Sequence, residues 1–485
     1  MRYTTIGRRA VIAGALMALA ACEDGLTDVN VNPNAPTDVA AEFLLPESIR
    51  TGVEIILGDG MMLAHTSIWP QQTVELQYPD EEQGNVRPER MELYWDTLYS
   101  SALNDIQAVV EKGRAQEDAL VAGVGLTWRS WLYQHITDLW GDVPYTEALR
   151  ADEGITEPAY DPQQDIYMAL LSDLATAQDL LASGDGAGFA NGDILYGGDY
   201  ELWRRFANSL RMRMAMRMSE VDATNAAAEF AAAYAAGGFE SNADNAMLVW
   251  PGAPYRNPLF EDWQTRDDFG VSATMITTLE ALADPRLEMY AEPAQEDGVR
   301  RGLQNNVATP PLSISNYSRI GNLWRENGAT TPSPVMTYAE VLFLQAEAAA
   351  RGWIVGDPAA LYEEGIRANM QMYDPWGPAA APTDAEIDAY LAQPEVAYSP
   401  ATGIEQINLQ KWIALYMNGA EAWANTRRID VPALVAGPDL TLPRIPVRFM
   451  YPGGEQSLNA ANLQEAVARQ GGGLDLVTPL WWDVG

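Results

Sequence analysis

Apolar residues return every three or four positions along much of this chain, the spacing of one helix face. Trp95, Leu98, Ala102, Ile106 and Val109 form one stripe; Leu120, Val124, Trp128, Trp131, His135 and Leu139 form a second beyond a break at Gly113. So short a break predicts two antiparallel helices. A third is announced by Asp161 as N-cap, Pro162 at the first helical position and Gln164 at the third, a capping box ahead of Ile166, Leu170, Leu174 and Ala177. The same period predicts helices over 203–218, 223–236, 338–351, 358–372 behind Asp357 as N-cap, and 404–428.

Residues 239–334 break this pattern. They are rich in Pro, Gly and Asn, hold Trp250, Tyr255, Trp263, Tyr317 and Trp324, and show little helical period. Long irregular segments on a helical frame usually carry function. The expected fold is mostly α, a tetratricopeptide-like helical-repeat scaffold without a strict 34-residue repeat. No Ser/Gly or Pro linker divides it, so 39–485 reads as one helical domain with a loop-rich insert over about 239–334.

The N-terminus has a different pattern. Arg2, Arg8 and Arg9 precede an uncharged apolar run from Ala10 to Ala21, the shape of a signal peptide over 1–21. The run is shorter than the roughly 20 residues that span a bilayer. Leu19-Ala20-Ala21-Cys22 resembles a lipobox, and Cys22 is the only cysteine in the chain. Cys22 is therefore the expected lipidation site, and acyl chains hold a body to a membrane at about 0.8 kcal/mol per buried methylene. Arg8-Arg9 also resembles part of a twin-arginine signal, so both export routes stay open. From Cys22 to Asp38 the turn formers Asn30, Asn32, Pro33, Asn34 and Pro36 describe a tether.

The chain carries 67 acidic residues against 30 basic ones, and removing 1–21 would make its net charge of −37 more negative still. Such a surface disfavours nucleic acid and anionic lipid. With one cysteine, neither an internal disulfide nor a multi-thiolate zinc site is possible.

Catalytic constellations are scarce. There is no H-E-x-x-H, G-x-S-x-G, Walker loop or strand-linked G-x-G-x-x-G. Of the two histidines, His135 sits in an apolar stripe and reads as a hydrogen-bonded core residue, while His65 is undecided. Glu340 and Glu347 share a helix face, but Arg351 four residues after Glu347 makes an ordinary helical ion pair. Asp185, Asp193 and Asp199 lie among glycines as a possible calcium cluster, without the EF-hand pattern. No cofactor or metal is expected.

Particular residues then resemble a family. Asn32-Pro33-Asn34, Gly141-Asp142-Val143-Pro144-Tyr145, Trp203-Arg204-Arg205-Phe206, Asp284-Pro285-Arg286-Leu287, the stretch from Tyr338 to Ala348, Gln410-Lys411-Trp412, Glu421-Ala422-Trp423 with Arg427-Arg428, and Ile445-Pro446-Val447-Arg448 occur in the order of the SusD/RagB-like outer-membrane lipoproteins. Ile429-Asp430-Val431-Pro432 departs from the family pattern. Within these motifs Glu421 is expected to tie helices through Arg427 or Arg428. The resemblance implies a non-catalytic, lipid-anchored protein of the outer membrane, facing the cell exterior. It would capture glycans, or oligopeptides in some relatives, for a TonB-dependent (SusC-like) transporter barrel.

Contact residues do not carry over from the resemblance, so they rest on chemistry. Sugar rings present C–H faces and polar rims, which suit Trp and Tyr beside amide and guanidinium donors. Two loop clusters fit: Trp69, Gln71, Gln72 and Tyr78, and Trp250, Tyr255, Trp263, Asn316, Arg319 and Trp324. A lipid-anchored hydrolase, which requires turnover, and a helical scaffold with no small ligand are the competing classes.

Overall fold

A computed structural model describes residues 39–377 and 381–484. The expected signal segment, Cys22 and the tether to Asp38 lie outside the described residues. The first part of the frame is α1 (Ala41–Ile56), α2 (Pro88–Thr97), α3 (Asn104–Ala115), α4 (Ala119–Trp140), α5 (Gln163–Ser183), α6 (Tyr200–Arg217) and α7 (Ala223–Ala236). The middle holds α8 (Pro258–Thr265), α9 (Ala273–Ala281) and α10 (Leu287–Tyr290). Then come α11 (Tyr338–Ala350), α12 (Pro358–Gln371), α13 (Asp384–Leu391), α14 (Gly403–Ala414), α15 (Gly419–Ile429), α16 (Gly453–Leu458) and α17 (Ala460–Arg469).

Helices adjacent in sequence pack on one another, α3 on α4, α4 on α5, α5 on α6, α6 on α7 and α11 on α12, the pairing expected of a tetratricopeptide-like frame. Asp118 caps α4 by accepting from the Val121 N–H at 3.0 Å, and every residue of α4 beyond Ala119 is buried. A helix buried all round lies in the core, and its charged residues are paired there, Arg129 with Asp173 at 2.8 Å and Asp138 with the Tyr167 hydroxyl at 2.5 Å. It lies so close to α3 that a Cβ on Gly113 would fall 2.5 Å from the Ala122 nitrogen. α11 joins the two halves by packing on both α6 and α14.

Buried ion pairs reinforce that junction. Arg213 of α6 lies 2.7 Å from Glu340 of α11, Arg217 lies 2.6 Å from Glu421 of α15, and Arg428 lies 2.7 Å from Glu347. Burial opposes ionisation of Glu421, but Arg217, Arg213 and Lys411 outweigh it and hold its carboxyl at about 2. The expected pairing of Glu421 with Arg427 or Arg428 is thus replaced by one with Arg217. Glu347 keeps its pair with Arg351 at 2.9 Å and adds Arg428 from a distant helix.

Several local expectations are corrected. The helix predicted over 404–428 is two, because Met417 takes φ 68° and Asn418 caps α15; a Cβ on Gly419 would lie 2.6 Å from the Ser67 nitrogen, so the break lets the chain pass close. The stripe from Trp95 to Val109 spans a wider π-helical turn, Leu98–Leu103, between α2 and α3. Asp161 does not cap α5. Its carboxylate accepts from the Tyr145 and Thr146 N–H groups at 3.0 and 2.9 Å, and the start of α5 is capped from afar by Asp142, which accepts from the Gln163 N–H at 2.9 Å. His135 is buried 4.5 Å from Trp131 without a partner for Nε2, and burial takes it down to about 3, so it is neutral. The suggested calcium cluster is otherwise engaged: Asp193 accepts from three backbone N–H groups and the Trp203 indole, and Asp199 caps α6.

Three two-stranded antiparallel sheets occur among the described residues: β1 (Thr73–Glu75) with β5 (Phe269–Val271), β2 (Val143–Pro144) with β3 (Tyr160–Asp161), and β4 (Ala246–Leu248) with β6 (Ser333–Met336). The first is the one that builds a site.

Candidate functional site

β1 and β5 clasp the two loop clusters together. Thr73 pairs with Val271, Val74 with Gly270 and Glu75 with Phe269. Gly270 is required there, since a Cβ would fall 2.6 Å from the Ser318 carbonyl oxygen as Arg319 bridges β5 from its other side. Past the strand, the Leu76 N–H donates to the Asp268 carbonyl at 2.7 Å and the Gln77 amide to the Asp268 carboxylate at 3.0 Å. The chain then turns at Tyr78, whose φ of 58° throws its ring outward, 69% exposed.

Beside this clasp lies a cavity of about 870 Å³. One wall carries Asp59 and Gly60 from a π-helical turn (Asp59–Thr66), another Gln77 and Tyr78, and a third Asp262, Arg266, Asp268 and Phe269. Asp262, Arg266, Asp268 and Phe269 also line a narrow neighbouring cleft against Trp263. The Tyr78 pocket and the Trp263 cleft therefore share a wall. Arg325 holds the Trp263 ring, its guanidinium carbon 5.8 Å from the ring centre, and is itself fixed 3.0 Å from Asp267.

Carboxylates set the electrostatics. Burial, then the Asp59 and Asp268 charges, push Asp262 up to about 7. Burial also raises Asp59. Burial works to raise Glu81, but His65, Arg90 and Arg87 outweigh it and hold it below the usual range.

The ten residues chosen from sequence divide sharply. Tyr78 and Trp263 come together at this site. Trp69 is buried against Trp423, ring centres 4.7 Å apart, at the edge of a smaller cavity of about 240 Å³. Gln71 and Gln72 are buried struts, donating at 2.7 Å to the Val435 and Trp412 carbonyls. Trp250 lies in the core and donates to Ser333 at 3.0 Å. Trp324 is 1% exposed among Tyr290, Tyr373 and Tyr416. Each fills the layer under the loops, and Trp324 also lines the Trp263 cleft. Arg319 is buried on Asp267 at 2.9 Å, and Asn316 donates to Ser313 at 2.8 Å. Tyr255 is exposed under Arg50 and lines neither cavity.

Sequence reasoning missed Asp59, Asp262, Arg266 and Phe269. The pairing of β1 with β5, which brings them to Tyr78, leaves no local signal. A separate cavity of about 780 Å³ holds the half-buried Trp376 beside Asn322 and Asn327.

A family model described as starch-binding and associating with the outer membrane matches residues 33–452. The chain belongs to the SusD-like family. Among solved structures, a chitin-binding protein is 30% identical to this SusD-like chain, with a TM-score of 0.80 over 92% of this chain and 100% of that one. A SusD-like protein described as Bacteroidetes AC2a is 27% identical, with a TM-score of 0.79 over the same shares. A chitin-binding SusD homologue from Flavobacterium johnsoniae, 23% identical with a TM-score of 0.80 over 92% and 99%, shares the fold. No curated protein matches. The motif residues that mark a SusD-like chain do frame work here: Asp142 caps α5, and Arg286 sits 2.6 Å from Asp284 while donating to Gln410 at 2.6 Å.

Proposed function

We propose that this protein is a non-catalytic glycan-capturing lipoprotein of the outer membrane. Cys22 would carry the lipid on the outer face, and the bound glycan would pass to a TonB-dependent transporter. The observation that carries the reading is the shared wall between the Tyr78 pocket and the Trp263 cleft. It sets aromatic faces beside carboxylates and guanidiniums, the mixture a sugar's apolar faces and hydroxyl rim require. The naming of two structural relatives as chitin-binding supports the ligand class. A binder on a lipid tether has no pore and no energy source of its own, which supports a barrel partner that the tether keeps at high local concentration.

Calorimetry of the purified protein against neutral oligosaccharides, chitin fragments among them, together with product analysis, tests the binding role. Binding without new reducing ends is expected; turnover would overturn the non-catalytic reading. Affinity purification from solubilised membranes tests the partner. Recovery of a TonB-dependent barrel is expected, and recovery of the protein alone would remove the uptake role. Oligopeptide capture is the second reading, favoured by one observation: the excess of carboxylates in the cavity suits basic side chains.

A further inference from the structure

The segment 320–325 borders two spaces. Ile320, Trp324 and Arg325 line the Trp263 cleft, while Asn322 and Leu323 line the cavity of about 780 Å³ that holds Trp376. That cavity shares no lining residue with the cleft or with the Tyr78 pocket. Trp376 reaches it from a short 3-10 turn (Asp374–Trp376) beyond α12, which Gly377 ends at φ 58°, a left-handed conformation that glycine takes without strain. The buried Tyr373 ring meets the indole edge-on with centres 6.4 Å apart, so Trp376 is braced on the core while remaining half-buried.

A half-buried tryptophan alone would be ordinary. The polar groups around this one make it a site, because they have hydrogen-bonding capacity to spare. The side chains of Asn327 and Thr330 and the Asn322 amide nitrogen make no hydrogen bond among the described residues. Arg300 gives Nε to the Ala291 carbonyl at 2.9 Å and Nη2 to Glu288 at 2.6 Å, which leaves Nη1 free of both. Glu292 accepts from the Asn322 N–H at 2.8 Å through one oxygen and keeps the other open. Arg300 and Glu288 offset each other, so the cavity carries little net charge and presents no strong field to an ion. An apolar occupant would strip water from the amides and give nothing back. A sugar ring answers both halves of the wall, with a C–H face for the indole and hydroxyls for the amide, hydroxyl and carboxylate rim.

We propose that this cavity is a second sugar subsite, which takes a neutral sugar ring on the Trp376 face and fills independently of the Tyr78 pocket and Trp263 cleft. The inference rests on the glycan-binding reading and adds to it a separate place of contact. Asn322 and Asn327 supply the rim, and Tyr373 holds the platform.

The test is fluorine NMR of the purified protein labelled with 5-fluorotryptophan and titrated with the N-acetylglucosamine trimer. The Trp263 and Trp376 resonances are assigned by their loss in Trp263→Phe and Trp376→Phe, and circular dichroism confirms the fold of each variant. The Trp376 resonance is expected to shift to saturation with its own midpoint, and to keep that response in Trp263→Ala. Asn322→Ala and Asn327→Ala should each raise the midpoint several-fold, the worth of about one hydrogen bond. A Trp376 resonance that stays in place while the Trp263 response saturates would overturn the inference and leave the glycan reading standing. A Trp376 response that vanishes in Trp263→Ala would do the same, since a single site would then be sensed at a distance. An unmoved midpoint in both asparagine variants would also overturn it, because the ring would be met without its polar rim. A short neutral peptide that moves Trp376 where the sugar does not would assign the cavity to peptide and overturn it. If neither resonance answers to this trimer or to a panel of other neutral oligosaccharides, this inference and the glycan reading fall together.

Discussion

Glu75 and Glu82 hold each other through the backbone: the Glu75 N–H donates to Glu82 Oε2 at 3.0 Å, and the Glu82 N–H donates to Glu75 Oε2 at 3.3 Å. Glu82 also accepts from the Asn306 N–H at 2.8 Å, so the brace ties the first loop to the second. Burial and then the Glu82 charge push Glu75 well above the ordinary carboxylate range, and burial takes Glu82 up to about 7. A carboxyl whose folded-state value is raised keeps its proton longer in the folded protein. Its contribution to stability is full below about 4.5 and is lost as pH rises through about 7. Glu75, with one oxygen free, is the natural holder of the proton. Urea unfolding at pH 5 and pH 8 should show the difference, and Glu75→Gln should shrink it by at least about 1.4 kcal/mol, one tenfold change in proton affinity. An unchanged difference in the variant would mean that the brace is not a proton store.

The Arg217–Glu421 pair has the opposite sign. Glu421, held at about 2, contributes stability above its unfolded value near 4.5 and loses it as pH falls toward 2. Removing one partner leaves a buried charge exposed to its neighbours, so Glu421→Gln or Arg217→Met should each cost about 3 to 5 kcal/mol. The double variant should cost clearly less than the sum. Additive losses in denaturant unfolding would show that the two side chains do not act as a pair.

Trp263 and Trp324 separate binding from packing. Trp263→Ala should weaken glycan binding by about 1 to 3 kcal/mol while leaving the unfolding midpoint nearly unchanged. Trp324→Ala removes a ring from the layer beneath the loops and should cost about 3 to 5 kcal/mol of stability. If Trp324→Ala kept full stability and lost only affinity, the buried placement of that ring would not describe the protein in solution.

Anchoring is checked by Cys22→Ser. The variant is expected to fold as before and to leave the membrane fraction when cells are broken and sedimented. Continued sedimentation with membrane would remove the lipid-anchor argument.

The helical frame was largely legible because its signals are local. Asp357 and Pro358 mark the start of α12, and the 3.6-residue period locates α4 and α7, since a helix face repeats within a few residues. What failed was set at a distance. Asp161 reads as a cap until Asp142 takes that role from another loop, and the stripe over 404–428 hides a break dictated by the passage of Ser67 beside Gly419. The aromatic count in the loops was legible, but not which rings face outward. Trp250 and Trp324 are buried under the loops while Tyr78 lines the cavity and Trp263 the cleft beside it, a division made by tertiary packing that residue type does not encode. Phe269 and Asp262 gain their place only through the register of β1 on β5.

That register also bears on how such a protein changes over generations. Three residue pairs fix the clasp, and the walls of the cavity hang beyond it on either side. Substitutions at Tyr78 or along α8 alter what the cavity presents without disturbing the helices, whereas a one-residue insertion inside β1 would turn Glu75 and its neighbours to the opposite face. The cavity is thus assembled from two separate stretches, and a transplant of the Tyr78 loop into another frame should rebuild it only when the segment through Phe269 travels with it.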